Sequence, residues 1–464
     1  MLQVNMLVKY LNLMAAASST LALAAPRVIP RQGEPAPSVT HTSTASSDVS
    51  AAAATALTES TTSHVKGKAF DRIMMVYLET TAYQNAIADA NCQALFNRGI
   101  LHTNTFGVGS PSQPNYIAPG SGDTFGLNSD SFILVNKNVS TIVDLLEDKG
   151  ISWSDYNEGL PYTGFEGFAY SNDQGEGNYE RKHNLLARFE SIRLNPHRIS
   201  RVKNLTLFYR DLQQKVLPQW IFVTPNLYND GHDTNISVSC NWTRSFVEPL
   251  LKNPYFNKNT LVYITWQANG QYPQERNHVA GILLGSAIPK KLIGTKDGAY
   301  YNHYSDLATV EANWNLHHLG RWDVGANVWS AVGSCTGDKI RPWNDRIAHG
   351  SFESYYWNQS YGGVFSSAVN TTHTYVAPNV NLVHNGRTIL PAIKSLWKDN
   401  CKNNGGYGYR QNTGYCLPSY YKDIIELPDD FHPPRGFEVP IPLDPAPPVK
   451  TPITEYPYNN PPSS

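Results

Sequence analysis

The sequence predicts an α/β domain, with a mostly parallel sheet sandwiched by helices, followed by an irregular C-terminal extension. Short apolar runs recur at residues 73–78, 220–223, 261–266 and 279–284. Such runs are typical of strands buried on both faces of a parallel sheet. Helical patterns lie between the runs, and strands that alternate with helices indicate a layered α/β architecture.

The first residues predict a secretion signal. Lys9 is followed by an uncharged apolar run, and residues 22–24 (Ala-Leu-Ala) form the small-x-small pattern of a signal-peptidase site. We therefore expect residues 1–24 to be a signal peptide, because the run is too short to span a bilayer. Residues 25–65 are rich in Ser, Thr and Ala, and we expect them to be disordered.

Sequons and cysteines agree with an extracellular or cell-wall location. Six N-x-[ST] sequons predict N-glycans, at Asn138, Asn204, Asn235, Asn241, Asn358 and Asn370. Five cysteines leave at least one thiol outside intramolecular pairs. Cys401 and Cys416, which flank a Gly/Asn/Tyr-rich loop, are the expected disulfide.

Composition excludes two classes of protein. The formal net charge is −1 and no basic cluster occurs, so nucleic-acid binding is not expected. No later apolar stretch is long enough to cross a membrane.

Two helices are expected within the sheet domain. Ser140 is a candidate N-cap for a helix over residues 141–147, with Gly150 just past its end. Ser305 is a candidate N-cap for a second helix that ends at Gly320.

The character of the chain changes after the sheet domain, which we place at residues 66–330. Residues 331–427 form a polar and aromatic extension, with a strand expected within 374–383 and a helix near 389–397. Residues 428–464 are proline-rich and are expected to be extended.

Candidate chemistry follows the strand ends, because ligands of open α/β sheets bind beyond the carboxyl ends of the strands. Glu79 follows the first strand, residues 226–233 the second and residues 267–269 the third. The loop at 107–116 contains two glycines and two prolines, and it would hold Ser112 rigidly, as a nucleophile requires. A serine that only completes a turn fits the local sequence as well.

Several segments resemble one family. They are 112–116 (SQPNY), 144–153 (DLLEDKGISW), 161–164 (PYTG), 229–233 (NDGHD), 301–305 (YNHYS), 309–314 (TVEANW) and 320–327 (GRWDVGAN). In this order they resemble the fungal secreted acid phosphatases, phosphoesterases related to phospholipase C-type enzymes and, more distantly, to alkaline phosphatases. The resemblance implies an alkaline-phosphatase-like fold and metal-assisted hydrolysis of phosphate monoesters through a serine nucleophile.

The resemblance also implies roles for individual residues. Ser112 matches the nucleophile and Glu79 a metal ligand. His232 and His303 match catalytic histidines, and Asn115 and Asp233 are the expected substrate-binding residues.

The expected metal site is incomplete. Thr80 stands where the family has Asn, and Gly109-Ser110 replaces its Thr-His pair. Gln267 and Ala268 replace an acidic pair. Because two carboxylates are missing, affinity for a divalent cation is expected to fall by orders of magnitude. A divalent metal is therefore expected only if the protein is active.

Three interpretations stay open. The chain is an acid phosphatase with weak activity, a non-catalytic phosphatase-like glycoprotein, or a metal-independent enzyme of another class that reuses the pocket. In the first, a small phosphorylated substrate is expected, and Glu275 is the nearest acidic residue to compensate for the lost ligands.

Overall fold

The computed structural model describes residues 43–127, 129–172, 178–270, 277–340, 365, 375 and 377–400. The predicted signal peptide, the proline-rich tail, the Cys401–Cys416 pair and Glu275 lie outside these residues.

Thirteen strands are present in the described residues: β1 Arg72–Leu78, β2 Ile100–Phe106, β3 Trp153–Asn157, β4 Ala169–Tyr170, β5 Tyr179–Glu180, β6 Val202–Asn204, β7 Trp220–Thr224, β8 Thr260–Trp266, β9 His278–Leu284, β10 Thr295–Asp297, β11 Tyr301–Asn302, β12 Val383–His384 and β13 Arg387–Thr388.

The same described residues form twelve α-helices: α1 Ser46–Thr55, α2 Tyr83–Ala88, α3 Ala90–Phe96, α4 Ser112–Ser121, α5 Ile142–Asp148, α6 Glu190–Arg193, α7 Pro196–Ile199, α8 Leu205–Gln214, α9 Ile236–Lys252, α10 His303–Trp314, α11 Ser330–Thr336 and α12 Pro391–Asn400. Two 3₁₀ turns lie at Arg181–His183 and Lys290–Leu292. Among the described helices, none combines the length and apolar character that a membrane crossing needs.

The main sheet has nine strands in the order β10-β2-β9-β8-β1-β7-β3-β6, with β11 paired to β2. All pairs are parallel except those of β9, which runs antiparallel to β2 and β8. The prediction of a mostly parallel sheet is confirmed. The run at 279–284 departs from it because the connection from β8 is too short for a parallel crossover.

The sheet is covered on both faces, and β1 shows this most clearly because all of its residues are buried. Alternate side chains enter two separate apolar clusters, one with Ile73, Met75 and Tyr77 and the other with Met74, Val76 and Leu78. Helices α4 and α10 pack together, and so do α3 and α9. Burial on both faces explains why the strand reads as a continuous apolar run and not as an alternating one.

Both predicted helix caps were wrong in position. Thr141, not Ser140, caps α5, and it forms a capping box with an acidic residue of the first turn. Asn302 caps α10, where Ser305 is the third helical residue and its hydroxyl accepts from the Asn302 N–H at 3.2 Å. That helix ends at Trp314, before Gly320, and its C-cap residue Asn315 has φ 50°.

The described part of the extension packs on the main core. Residues 375 and 377–382 contain no strand, and β12 starts only at Val383. The predicted helix near 389–397 is α12, which starts at Pro391, a residue suited to the first helical turn. Ile393 and Trp397 of this helix belong to the larger apolar cluster.

A disulfide that the sequence analysis did not predict joins Cys92 of α3 to Cys240 of α9, with 5.3 Å between their Cα atoms. We expect Cys92→Ser with Cys240→Ser to lower the free energy of unfolding by about 2–5 kcal/mol. Urea denaturation measures this change. Cys335→Ser is the matched control because this thiol is free and exposed, and an equal loss there would contradict the assignment.

His102 of β2 predicts a loss of stability in acid. It is fully buried, both ring nitrogens lack a hydrogen-bond partner among the described residues, and burial lowers its pKa from 6.5 to about 4. Between pH 6.5 and 4 the unfolded chain therefore binds a proton at His102 that the folded chain does not bind. The free energy of unfolding that is present above pH 6.5 is lost as the pH falls towards 4. The loss is roughly 3 kcal/mol. In His102→Phe, urea midpoints between these pH values should fall less steeply than in the parent; equal slopes would contradict this account.

Candidate functional site

Three buried polar residues meet at the carboxyl edge of the sheet. β1 and β8 are parallel neighbours with Leu78 opposite Trp266, so the residues that follow, Glu79 and Gln267, emerge side by side. Ser112 is the first residue of α4. The exposed fractions of Glu79, Ser112 and Gln267 are 3%, 7% and 1%. The structure therefore brings together residues that follow two different strands and the first residue of α4.

The Gln267 carboxamide nitrogen lies among three oxygen atoms. Ser112 Oγ donates to Glu79 Oε1 at 2.6 Å. Gln267 Nε2 donates to Thr80 Oγ1 at 2.9 Å and approaches Glu79 Oε1 at 3.2 Å and Ser112 Oγ at 3.3 Å. The side chain that replaces an expected metal ligand therefore presents a donor, not an acceptor, to these oxygens.

Backbone groups fix the orientation of this carboxamide. The N–H groups of Val108 and Gly109 donate to Asn115 Oδ1 at 2.7 and 2.8 Å. Asn115 Nδ2 must therefore face the other way, and it donates to Gln267 Oε1 at 2.7 Å. Because a backbone N–H can only donate, the chain of bonds has one possible direction, and Gln267 Nε2 must face Glu79.

The glycine-rich loop before α4 is held by Asn277 and packs very closely on β8. Asn277 Nδ2 donates to the Gly109 carbonyl at 2.9 Å, and Asn277 Oδ1 accepts from the Asn269 N–H at 2.8 Å. A Cβ atom on Gly107 would lie 2.6 Å from the Gln267 carbonyl oxygen. Glycine is therefore required at 107 by close backbone approach. This packing places Asn115 in the loop scaffold, where its side chain is fully buried.

The residues present do not fit a divalent metal. Mg²⁺, Mn²⁺ and Zn²⁺ need oxygen or nitrogen lone pairs, and the Gln267 amide nitrogen offers none in this orientation. Glu79 is the one carboxylate in the triangle that it forms with Thr80 and Ser112, and Ala268 supplies no ligand. Within the described ranges, the one group of three or more His, Cys, Asp and Glu side chains close enough to share an ion is Asp89 with the disulfide-bonded Cys92 and Cys240.

His183 and Asp230 lie behind Glu79, and the sequence analysis did not select either of them. His183 Nε2 is 3.5 Å from Glu79 Oε2, and His183 Nδ1 is 3.2 Å from Asp230 Oδ2. Burial lowers the pKa of His183 to about 4 and raises the pKa of Asp230 to about 8. Both groups are thus neutral in mild acid, so a protonated Asp230 can donate to Nδ1 while the Nε2–H faces Glu79. Asp230 belongs to the NDGHD segment, and this motif was the feature of the sequence from which Asp230 could have been selected.

His232 and Asp233 lie at the rim of the site. His232 Nδ1 is 2.7 Å from Asp233 Oδ1, and the two side chains are 36% and 43% exposed. His232 Nε2 is 3.5 Å from Lys182 Nζ. The structure therefore places this pair in contact with solvent, and the His232 ring lies 6.0 Å from that of His183 between ring centroids.

His303 lies on the other side of Gln267 and faces the protein interior. Its Nε2 donates to the Gln267 carbonyl at 2.8 Å, and its Nδ1 is 3.0 Å from the Tyr77 hydroxyl. That hydroxyl also contacts Asp306. Burial lowers the pKa of His303 to about 4 and raises the pKa of Asp306 well above its usual range. The structure thus places His303 as a support of Gln267.

Comparisons with known proteins give a family for the sequence. The family profile described as Phosphoesterase matches residues 57–317. An acid phosphatase of Aspergillus fumigatus is 43% identical over 82% of this chain and 83% of its own length. A phosphate-repressible acid phosphatase of Penicillium chrysogenum is 46% identical over 81% of this chain and 86% of its own.

Among solved structures, a Vibrio parahaemolyticus protein in the alkaline phosphatase superfamily shares 12% identity, with a TM-score of 0.38 over 55% of this chain and 69% of its own. The extent of the profile match and of the two fungal similarities decides the assignment: the chain belongs to the Phosphoesterase family.

Proposed function

We propose that the chain hydrolyses phosphate monoesters through Ser112, with Glu79 as its base and without a resident divalent metal. The observation that carries the proposal is the 2.6 Å hydrogen bond from Ser112 Oγ to Glu79 Oε1. A nucleophile and a base within this distance can exchange a proton directly. The names of the fungal relatives, both acid phosphatases, support the substrate class.

The proposed reaction has two steps. First, Glu79 Oε1 takes the hydroxyl proton while Ser112 Oγ attacks phosphorus; the bond from phosphorus to the leaving oxygen breaks, and His232 gives that oxygen a proton. Second, water attacks the phosphoserine and gives a proton to His232, and Ser112 leaves with the proton held by Glu79. The products are the alcohol and inorganic phosphate. The neutral His183 faces the second oxygen of Glu79 at 3.5 Å.

We expect this hydrolysis to be slow. A metal ion in such a site would stabilise the charge of the transferring phosphoryl group and lower the pKa of the nucleophile. Here the Gln267 amide supplies a partial charge only, and its bond to Ser112 Oγ at 3.3 Å must lengthen when that oxygen attacks.

A non-catalytic, phosphate-binding protein is the second candidate. The same amide favours it, because Gln267 Nε2 bonds to Thr80 and approaches both Glu79 Oε1 and Ser112 Oγ, so these three oxygens have a donor without a ligand. A serine and a base that are bonded in this way need not act on a phosphate that binds beside them.

Release of p-nitrophenol from p-nitrophenyl phosphate at acidic pH, with and without EDTA, tests the proposal. We expect a slow rate that EDTA leaves unchanged and that Ser112→Ala abolishes. Ser334→Ala, at an exposed serine of α11, is the matched control and should keep the parent rate. A parent rate no higher than that of Ser112→Ala would favour the non-catalytic candidate. A rate that EDTA removes would contradict metal independence.

We also propose that the protein is secreted and glycosylated. The Cys92–Cys240 disulfide supports this, because structural disulfides form in oxidising compartments. Asn235 and Asn241 are exposed sequon residues near and on α9 and are suitable glycan sites. Asn204 is less suited, because its side-chain amide nitrogen, the atom that would carry the glycan, donates to the Leu160 carbonyl. Peptide mapping after glycosidase treatment measures which of the three carries a glycan.

A further inference from the structure

We propose that substrate phosphoryl oxygens bind between Lys182 and the first turn of α4, and that the Asp130 carboxylate occupies this subsite in the free protein as an internal anion. The inference rests on the proposed function, since it assigns the phosphate-binding groups beside Ser112. It adds a binding group, Lys182, and a competitor for it, Asp130, that the family resemblance did not supply.

The contacts of Asp130 are those of a bound anion. Its Oδ1 accepts from the backbone N–H of Gln113 at 2.9 Å, and Gln113 is the residue next to Ser112. Its Oδ2 lies 3.7 Å from Lys182 Nζ. One carboxylate thus bridges an amide of the first helical turn and an ammonium group. A phosphoryl group has the same charge sign and the same two-sided acceptor geometry.

Lys182 supplies the positive charge that a metal would otherwise supply. Its side chain is only 13% exposed, and its Nζ lies 3.2 Å from Glu180 and 3.5 Å from His232 Nε2. Burial opposes its charge, yet the carboxylates of Glu180 and Asp130 raise the pKa of Lys182 above its usual value. The ammonium therefore persists at every pH at which the protein would act.

The subsite is rigid because one buried side chain ties its two walls together. The Arg188 guanidinium donates to the Gln113 carbonyl at 3.2 Å and to the Lys182 carbonyl at 2.8 Å. Arg188 is fully buried. The segment that carries the nucleophile and the segment that carries the cation are thus held at a fixed separation.

A second observation points to a ligand beside Ser112, the residue before Gln113. His183 follows Lys182, is 3% exposed, and its Nε2 has no hydrogen-bond partner among the described residues. It faces Glu79, whose Oε2 is likewise unpartnered there. Buried polar atoms of native proteins are nearly always satisfied, so unpaired groups of this kind indicate a site that a ligand or its reaction completes.

Asp130 has a simpler alternative role as a cap for the first turn of α4. The two roles differ in what a neutral substitution does. Asp130→Asn keeps an oxygen that can accept from the Gln113 N–H but removes the charge. A capping role predicts lower stability and unchanged anion affinity. A competing internal anion predicts tighter anion binding.

Calorimetric titration with inorganic phosphate and with orthovanadate tests the proposal on the full chain. We expect Asp130→Asn to bind both anions about tenfold more tightly than the parent, because the charged group that occupies the subsite in the parent no longer competes for Lys182 and the Gln113 amide. Lys182→Met in the Asp130→Asn background should lose at least that tenfold gain. Glu180→Gln is the matched control, because it removes a carboxylate that lies 3.2 Å from Lys182 Nζ and leaves the contact with the Gln113 amide unchanged. The affinity of this variant for both anions should stay within about twofold of the parent.

Two results would overturn the subsite. One is an equal gain in anion affinity in Asp130→Asn and Glu180→Gln, which would show a general effect of charge and not the occupation of the subsite by Asp130. The other is anion binding by Asp130→Asn that survives Lys182→Met. The proposed hydrolysis is tested separately from the subsite. Phosphate binding that depends on Lys182, without turnover that depends on Ser112, would contradict the hydrolysis and support the subsite. Turnover that depends on Ser112, with phosphate binding that does not depend on Lys182, would support the hydrolysis and contradict the subsite.

Discussion

A variant that combines Gln267→Asp, Ala268→Glu, Thr80→Asn and Ser110→His is expected to bind one Mn²⁺ or Zn²⁺ per chain, at least about a hundredfold more tightly than the parent. The substitutions replace the amide donor, which now faces Glu79, by carboxylate oxygens. Two unit charges near a divalent cation contribute several kcal/mol even at an effective dielectric of ~20. Phosphate monoester hydrolysis should rise with the bound metal and become sensitive to EDTA.

The control for this variant keeps the amide. Thr80→Asn with Ser110→His leaves Gln267 Nε2 among the oxygens of the triangle, so we expect no gain in metal affinity. Isothermal titration with each metal, together with the rate before and after EDTA, measures both proteins. If the control binds as tightly as the full variant, or if a folded full variant binds no metal, the role assigned to Gln267 is wrong.

Asn115→Ala is expected to be the most destabilising single substitution in the site, by roughly 3 kcal/mol or more. It leaves the N–H groups of Val108 and Gly109 and the Oε1 atom of Gln267 without their partner in a fully buried position. Each unsatisfied buried group costs about 1–3 kcal/mol. Urea denaturation measures the loss, and Asn381→Ala, at an exposed asparagine, should leave the midpoint unchanged.

Asn115→Asp separates orientation from mere packing. The carboxylate can still accept from Val108 and Gly109, but it repels Gln267 Oε1, so the Gln267 amide should turn and present Oε1 to Glu79 and Ser112. We expect this variant to lose most of its Ser112-dependent hydrolysis while its urea midpoint stays close to that of the parent. Retention of the parent rate by a stable Asn115→Asp protein would contradict the proposed chain of bonds.

The sequence predicted the sheet and its edge because those features follow from local pattern. A fully apolar run such as β1 indicates a strand buried on both faces, and the strand-end rule then brings Glu79 and Gln267 together. The rigidity of the loop before Ser112 followed from its glycines and prolines. The antiparallel direction of β9 did not, because an apolar run carries no information on strand direction.

The parts that escaped prediction depend on contacts between distant segments. His183 reaches Glu79 from a 3₁₀ turn, and nothing in the local sequence of that turn distinguishes it from a surface histidine. Cys92 and Cys240 meet only after α3 packs on α9, across 148 residues of chain. The orientation of Gln267 is likewise set by backbone groups of another loop.

We propose that the Gln267 carboxamide fills the position that a cation would otherwise occupy, and metal analysis of the native protein tests this most directly. Protein produced in medium supplemented with zinc and manganese, then desalted, should contain far less than one equivalent of either metal by mass spectrometry, and Glu79→Gln should not change that content. One tightly held ion per chain, lost in Glu79→Gln, would contradict the account.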